Sequence, residues 1–256
     1  MDTITIVLVL AAIVTVSLII IVISQIRERA RIERARKINA QEDAYHKANR
    51  LLTDIPGQYL NADLKLLLLK RIEEACQGLM ALKSDQPVKQ WLETAKAQKQ
   101  QVLQKTDQQP PVKIDSPEKA NYVKDLLQTL FKMIEAMHKN GRLDAATAKK
   151  NMKYVLFLVH KTHADLYVFQ ARDHIRQNQI RKAIHAYHLA STEMGKSRDN
   201  PLAMRAVKSF RTRIKELEAM SAEGKQASET HSKLDKEWDS FLQDDEVWKK
   251  KADYDD

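Results

Sequence analysis

The chain has 256 residues, 43 basic against 34 acidic, with a formal net charge of +9 and only 5 Gly and 6 Pro. So few turn formers exclude a fold of many short strands and call for long helices. The single cysteine, Cys76, excludes an intramolecular disulfide and a thiolate metal cage, while the basic excess points to acidic partners without choosing among lipid, nucleic acid and protein.

Residues 1–3 precede an uncharged stretch, 4–26, whose apolar run 4–23 is interrupted only by Thr5, Thr15 and Ser17. A helix needs roughly 20 such residues to cross a hydrocarbon core. Arg27, Arg29, Arg31, Arg34, Arg36 and Lys37 follow at once. A cleavable signal peptide carries its charge before the apolar run, not after it. The pattern therefore predicts a single transmembrane helix at 4–26 in the cell (inner) membrane, with the N-terminus outside and the body in the cytoplasm. The lipid bilayer is then the first partner, and the same arginines can touch anionic head groups.

Residues 27–54 read as a basic helical stalk, stopped by Ile55-Pro56-Gly57. A helical hairpin is predicted over 58–105. Its first arm carries Leu60, Leu64, Leu67, Leu68, Ile72, Ala75, Leu79 and Leu82 at three- and four-residue intervals, and its second opens with Val88, Trp91, Leu92 and Ala95. Cys76 lies in the first stripe, where a thiol acts as a small hydrophobe and not as a nucleophile. Residues 106–115, with Pro110 and Pro111, read as a linker.

A helical bundle is predicted over 116–220. Ser116-Pro117-Glu118 supplies a capping serine, a proline in the first turn and an acid at the positive end of the helix. Tyr122, Leu126, Leu130, Ile134 and Met137 form one stripe, ended by Asn140-Gly141. The longest helix runs from Leu143 to about Gln177, and its stretch Tyr154–Val159 is apolar on every side, as in the middle of a bundle. A helix from Ile180 to Met194 follows, then one after Asn200-Pro201. In the last, Leu202, Ala206, Phe210, Ile214 and Leu217 face inward, and Arg205, Lys208, Arg211 and Lys215 lie away from them. Residues 221–256 read as a disordered linker and a tail. The expected fold class is all-α.

Within the bundle, Tyr167, Ala171 and His174 on one helix precede Ala183, Tyr187 and Ala190 on the next. Over about residues 164–197 this spacing resembles a tetratricopeptide repeat, a helical hairpin of the kind used for protein binding. The resemblance implies that the small residues let the helices approach and that Tyr187 fills the groove between them. His174 stands where the family usually has an aromatic, Gly195 stands where a closing proline is usual, and one copy is present where the family stacks several.

Chemistry is thinly represented. His160/His163 and His185/His188 are spaced three apart on helices, as in a chelating pair, yet no His-Glu-x-x-His and no thiolate accompanies them. They stand as the only metal candidates, against solvent-facing or packing histidines. No Gly-rich phosphate loop and no Gly-x-Ser-x-Gly elbow occurs. No catalytic site and no cofactor is expected.

The tail places Trp238, Phe241, Leu242 and Trp248 among acids directly after a polar stretch. Tryptophans are depleted in segments without a binding role, so these are candidate partner-binding residues, for another protein or for the chain's own basic bundle. The leading expectation is a membrane-anchored cytoplasmic scaffold or adaptor without catalytic activity, binding protein partners. The alternative is binding of nucleic acid or anionic membrane by the basic faces, and the third is a metal-dependent enzyme using the histidines.

Overall fold

The computed structural model describes the backbone of residues 3–107 and 111–222, and the side chains of these from Ile20 onward. Seven α-helices occur, and there is no strand among the described residues: α1 Thr3–Asp54, α2 Ala62–Ala81, α3 Val88–Leu103, α4 Pro117–Lys139, α5 Ala145–Arg176, α6 Ile180–Gly195 and α7 Pro201–Ala222. A 3₁₀ turn at Gly57–Tyr59 separates α1 from α2. The chain is all-α.

Local signals set the helix ends. Pro56 follows α1 two residues after its last, where it cannot continue the ladder. Ser116 Oγ accepts a hydrogen bond from Lys119 N, with Pro117 in the first turn of α4, and Asp144 Oδ1 accepts from Thr147 N at the start of α5. At the other ends, one residue turns left-handed: Lys83 after α2, Gly141 after α4 and Asn178 after α5. Asn178 N donates to Ile175 O and Gln179 N to His174 O, the paired bonds of a Schellman closure, which returns the chain within three residues.

The chain divides into two compact units, residues 1–49 with 67–100, and residues 50–66 with 101–256. In the first, α1 passes close to α2, since a Cβ at Gly78 would stand 3.1 Å from the Gln41 side chain. Tyr45 of α1 stacks on Trp91 of α3 with ring centroids 4.0 Å apart. Lys99 pairs with Glu73 at 2.9 Å. Cys76 is wholly buried, and burial pushes its thiol up, in keeping with a small hydrophobe.

In the second unit, α4, α5, α6 and α7 pack in chain order, each on the next. Tyr187 of α6 meets Phe210 of α7 with centroids 6.0 Å apart. The two residues lie about equally far from the short 196–200 connection, so α6 and α7 are antiparallel. His160 of α5 and Glu193 of α6 meet across the 177–179 turn in the same manner. In the segment expected as a linker, 106–115, no helix occurs among the described residues, and Asp107 pairs with Lys65 at 2.6 Å. Val112 exchanges two hydrogen bonds with the Gln58 amide, and Ile114 is buried.

The longest helix among the described residues is α1 and not the one expected from Leu143 to about Gln177, and two further expectations change. The single-pass location built on residues 4–26, with its outside N-terminus and cytoplasmic body, is corrected: among the described residues no helix is long and apolar enough to cross a membrane. Within the described side chains of α1, Ile20–Ile26 is followed at once by Arg27, Glu28, Arg29 and Arg31. The side chains of 4–19 lie outside the described residues. The arginines read as membrane flanks are exposed on α1, and one has a different task. Arg34 donates from Nη2 to Leu82 O at 2.7 Å and from Nε to the same oxygen at 3.1 Å, placing a cation on the carbonyl end of α2. The second change concerns Tyr154–Val159: Tyr154, Val155, Phe157 and Leu158 are buried, but Leu156 is 51% exposed, so α5 has a solvent side even there.

Candidate functional site

The α5–α6 hairpin carries the polar features that α4–α7 leave open. Its inner face is made of small residues: Ala164, Ala171, Ala183, Ala186 and Ala190 are all buried, which lets the two helix backbones approach. Tyr187 is buried at 2% exposure and faces Phe210. Tyr167 and His174, the other residues of the repeat-like pattern, are half-buried.

Where α5 ends and α6 begins, a cleft of about 340 Å³ is lined by Gln170, His174, Arg181, Lys182, His185, Ala186 and Leu189. Ala186 and Leu189 supply an apolar floor, and the other side chains supply cations or hydrogen-bond donors. No carboxylate lines the cleft. Arg181, Lys182 and His185 are exposed and have no ion-pair partner among the described residues. The buried His174 Nδ1 also has no hydrogen-bond partner among them. Arg181 and Lys182 lie in the first turn of α6, which has no acid, so the helix's own positive end adds to their field. A site of this composition attracts carboxylates or other oxyanions and has room for an apolar side chain beneath them.

Toward the far end of α6 the charges are paired instead. Glu193 Oε1 accepts from His160 Nδ1 at 2.9 Å and lies 3.8 Å from His163 Nδ1, and Lys196 Nζ donates to Glu193 Oε2 at 2.5 Å. Burial pushes the Glu193 carboxyl up, but the bonds from Lys196 and His160 outweigh it and hold the group below the ordinary glutamate range. Burial is the main cause that holds His163 below the ordinary histidine value, against the attraction of Glu193. The metal candidates are thus not brought together: His160 and His163 face Glu193, while His185 lines the cleft and His188 is exposed. Among the described residues no group of three His, Cys, Asp or Glu side chains has the arrangement to hold a metal ion.

A third cluster went unnoticed in the sequence. Tyr59 Oη donates to Asp165 Oδ2 at 2.5 Å, Lys161 Nζ donates to the same oxygen at 2.9 Å, and Lys161 also lies 4.5 Å from the centre of the Tyr59 ring. All three are close to fully buried. Burial, then the Asp165 charge, raises the Tyr59 hydroxyl well above its ordinary value, so it stays protonated as the donor. The only sequence signal was Lys161 and Asp165 four apart on one helix, the spacing of a pair across one turn. The cluster fastens the Gly57–Tyr59 turn to α5.

The exposed face of α7 carries Arg205, Lys208, Arg211 and Lys215, as its spacing implied. The tail residues Trp238, Phe241, Leu242 and Trp248 lie outside the described residues.

Residues 127–253 match the family model described as Root UVB sensitive protein, C-terminal. The match begins within α4, covers α5, α6 and α7, and continues through most of the acidic tail. No curated protein and no solved structure matches the chain.

Proposed function

We propose that this chain is a non-catalytic interaction protein whose α5–α6 hairpin binds an acidic segment of a protein partner. The observation that carries the reading is the cleft at the α5–α6 turn, with His174, Arg181, Lys182 and His185 around an apolar floor of Ala186 and Leu189. A polypeptide bearing carboxylates beside a large apolar side chain satisfies both parts. The buried alanines and the wedge of Tyr187 against Phe210 support use of the hairpin in the manner of a tetratricopeptide repeat, with α7 as the neighbouring layer. Arg205, Lys208, Arg211 and Lys215 extend the cationic surface and raise encounter rates with an acidic partner.

The test is the affinity of fluorescently labelled poly-glutamate for the full chain and for its Arg181→Glu/Lys182→Glu variant, with a single-stranded oligonucleotide as the second probe. Reversal of both charges is expected to weaken poly-glutamate by about tenfold, because each change replaces an attraction by a repulsion. Equal affinities would remove the cleft from the account. Tighter, equally cleft-dependent binding of the oligonucleotide would reassign the surface to nucleic acid.

A further inference from the structure

The cleft has a candidate occupant within the same chain. Residues 235–256 carry nine carboxylates against four lysines. The formal +9 of the whole thus divides into −5 on this segment and +14 on the remainder. The segment also sets Trp238, Phe241 and Leu242 between Glu237, Asp239 and Asp244. Carboxylates beside large apolar groups are the chemistry that a cationic rim over an Ala186–Leu189 floor accepts.

Position favours the same pairing. Because α6 and α7 are antiparallel, the last turn of α7 lies at the end of the layer where α6 begins, and the cleft opens at that end. The chain leaves α7 at Ala222, and twelve residues, 223–234, separate it from Asp235. A connection of twelve residues can span at most a little over 40 Å, about 3.3–3.6 Å for each residue. That is enough to reach the neighbouring turn. The family match supplies a separate indication, since one model takes in α5–α7 and the segment up to residue 253 as a single unit.

From these observations we infer that the acidic segment 235–256 docks in the α5–α6 cleft of its own chain and competes with an acidic partner for it. This rests on the proposed reading of the cleft. A segment tethered by a short connection acts at an effective concentration on the order of millimolar, so a weak intrinsic affinity suffices to hold it in place. A partner must displace it, and changes to the tail's charge would set how readily that happens.

The experiment compares poly-glutamate binding by three full-length proteins: the native chain, a chain in which the nine acids of 235–256 are exchanged for their amides, and that amide chain with Arg181→Glu/Lys182→Glu added. The amide chain is expected to bind poly-glutamate about tenfold tighter than the native chain, because the internal competitor is gone. The added charge reversals should abolish that gain. Equal affinities for the native and amide chains, with the reversals still weakening binding, would overturn self-docking while leaving the cleft as a binding site. A gain that survives the reversals would place the tail elsewhere and overturn the inference. Failure of all three to bind would overturn both.

Discussion

Replacing Lys161 by Met should be among the most damaging single changes available in this chain. The Nζ atom lies 2.9 Å from Asp165 Oδ2 and 4.5 Å from the centre of the Tyr59 ring, and the Lys161 side chain is 4% exposed. Removing it leaves the Asp165 carboxylate, 9% exposed, with Tyr59 as its one remaining donor in the cluster. Breaking one side of a buried ion pair costs about 3–5 kcal/mol, because the remaining charge keeps its desolvation penalty and loses its compensation. For a unit of this size that corresponds to a fall in Tm of roughly 6–20 °C. The paired exchange Lys161→Met/Asp165→Leu removes both charges and should recover most of the loss, since a well-filled apolar site commonly equals a buried pair. Thermal melts followed by circular dichroism at the helix band would measure the three variants. A Lys161→Met protein melting within about 2 °C of the native chain, or a double variant no better than the worse single one, would refute this account of how the Gly57–Tyr59 turn is held to α5.

The exposed Leu156 and its buried neighbour Phe157 should separate cleanly by urea unfolding: Phe157→Ala is expected to cost about 3–5 kcal/mol and Leu156→Ala about 0.5 or less. Stability should also fall in acid by way of the Glu193 cluster. His163 titrates below its ordinary 6.5 in the folded chain and Glu193 below its ordinary 4.5, so at each group the unfolded chain takes up its proton first. The urea midpoint should therefore drop as pH falls below about 6.5 and drop again below about 4.5, and Glu193→Gln should flatten the lower step. In the other unit, Trp91→Ala removes the ring stacked on Tyr45 and should lower protection of the α3 amides from hydrogen exchange, with the α7 amides unaffected.

Helices were legible because their signals are local. Ser116-Pro117 starts α4, Asn140-Gly141 ends it, and Asn200-Pro201 starts α7, each by chemistry contained within one turn. The cleft was only partly legible: Arg181 and Lys182 were visible as basic residues, but nothing in the order of residues says that His174 lines the same hollow. Contacts between distant residues left no trace. Arg34 finds the Leu82 carbonyl 48 positions away, and Glu193 meets His160 from 33 positions away. Tyr122, read as part of an apolar stripe, is 45% exposed and donates its hydroxyl to Asp54 at 2.7 Å. Composition misled most at 4–26, where apolar length and the basic residues after it carried the membrane location that no described helix meets.

The central claim is that acidic polypeptide sits in the α5–α6 cleft, and a photo-crosslinking side chain placed there tests it most directly. The label replaces Leu189, which lines the cleft, or as a comparison Leu156, which is exposed on α5 away from it. The full-length protein is irradiated with poly-glutamate present, and the adducts are read by mass spectrometry. The account predicts adducts from position 189 to poly-glutamate or to residues 235–256, lost on Arg181→Glu/Lys182→Glu and absent from position 156. Equal labelling from both positions, or adducts from position 189 that survive the charge reversals, would contradict it.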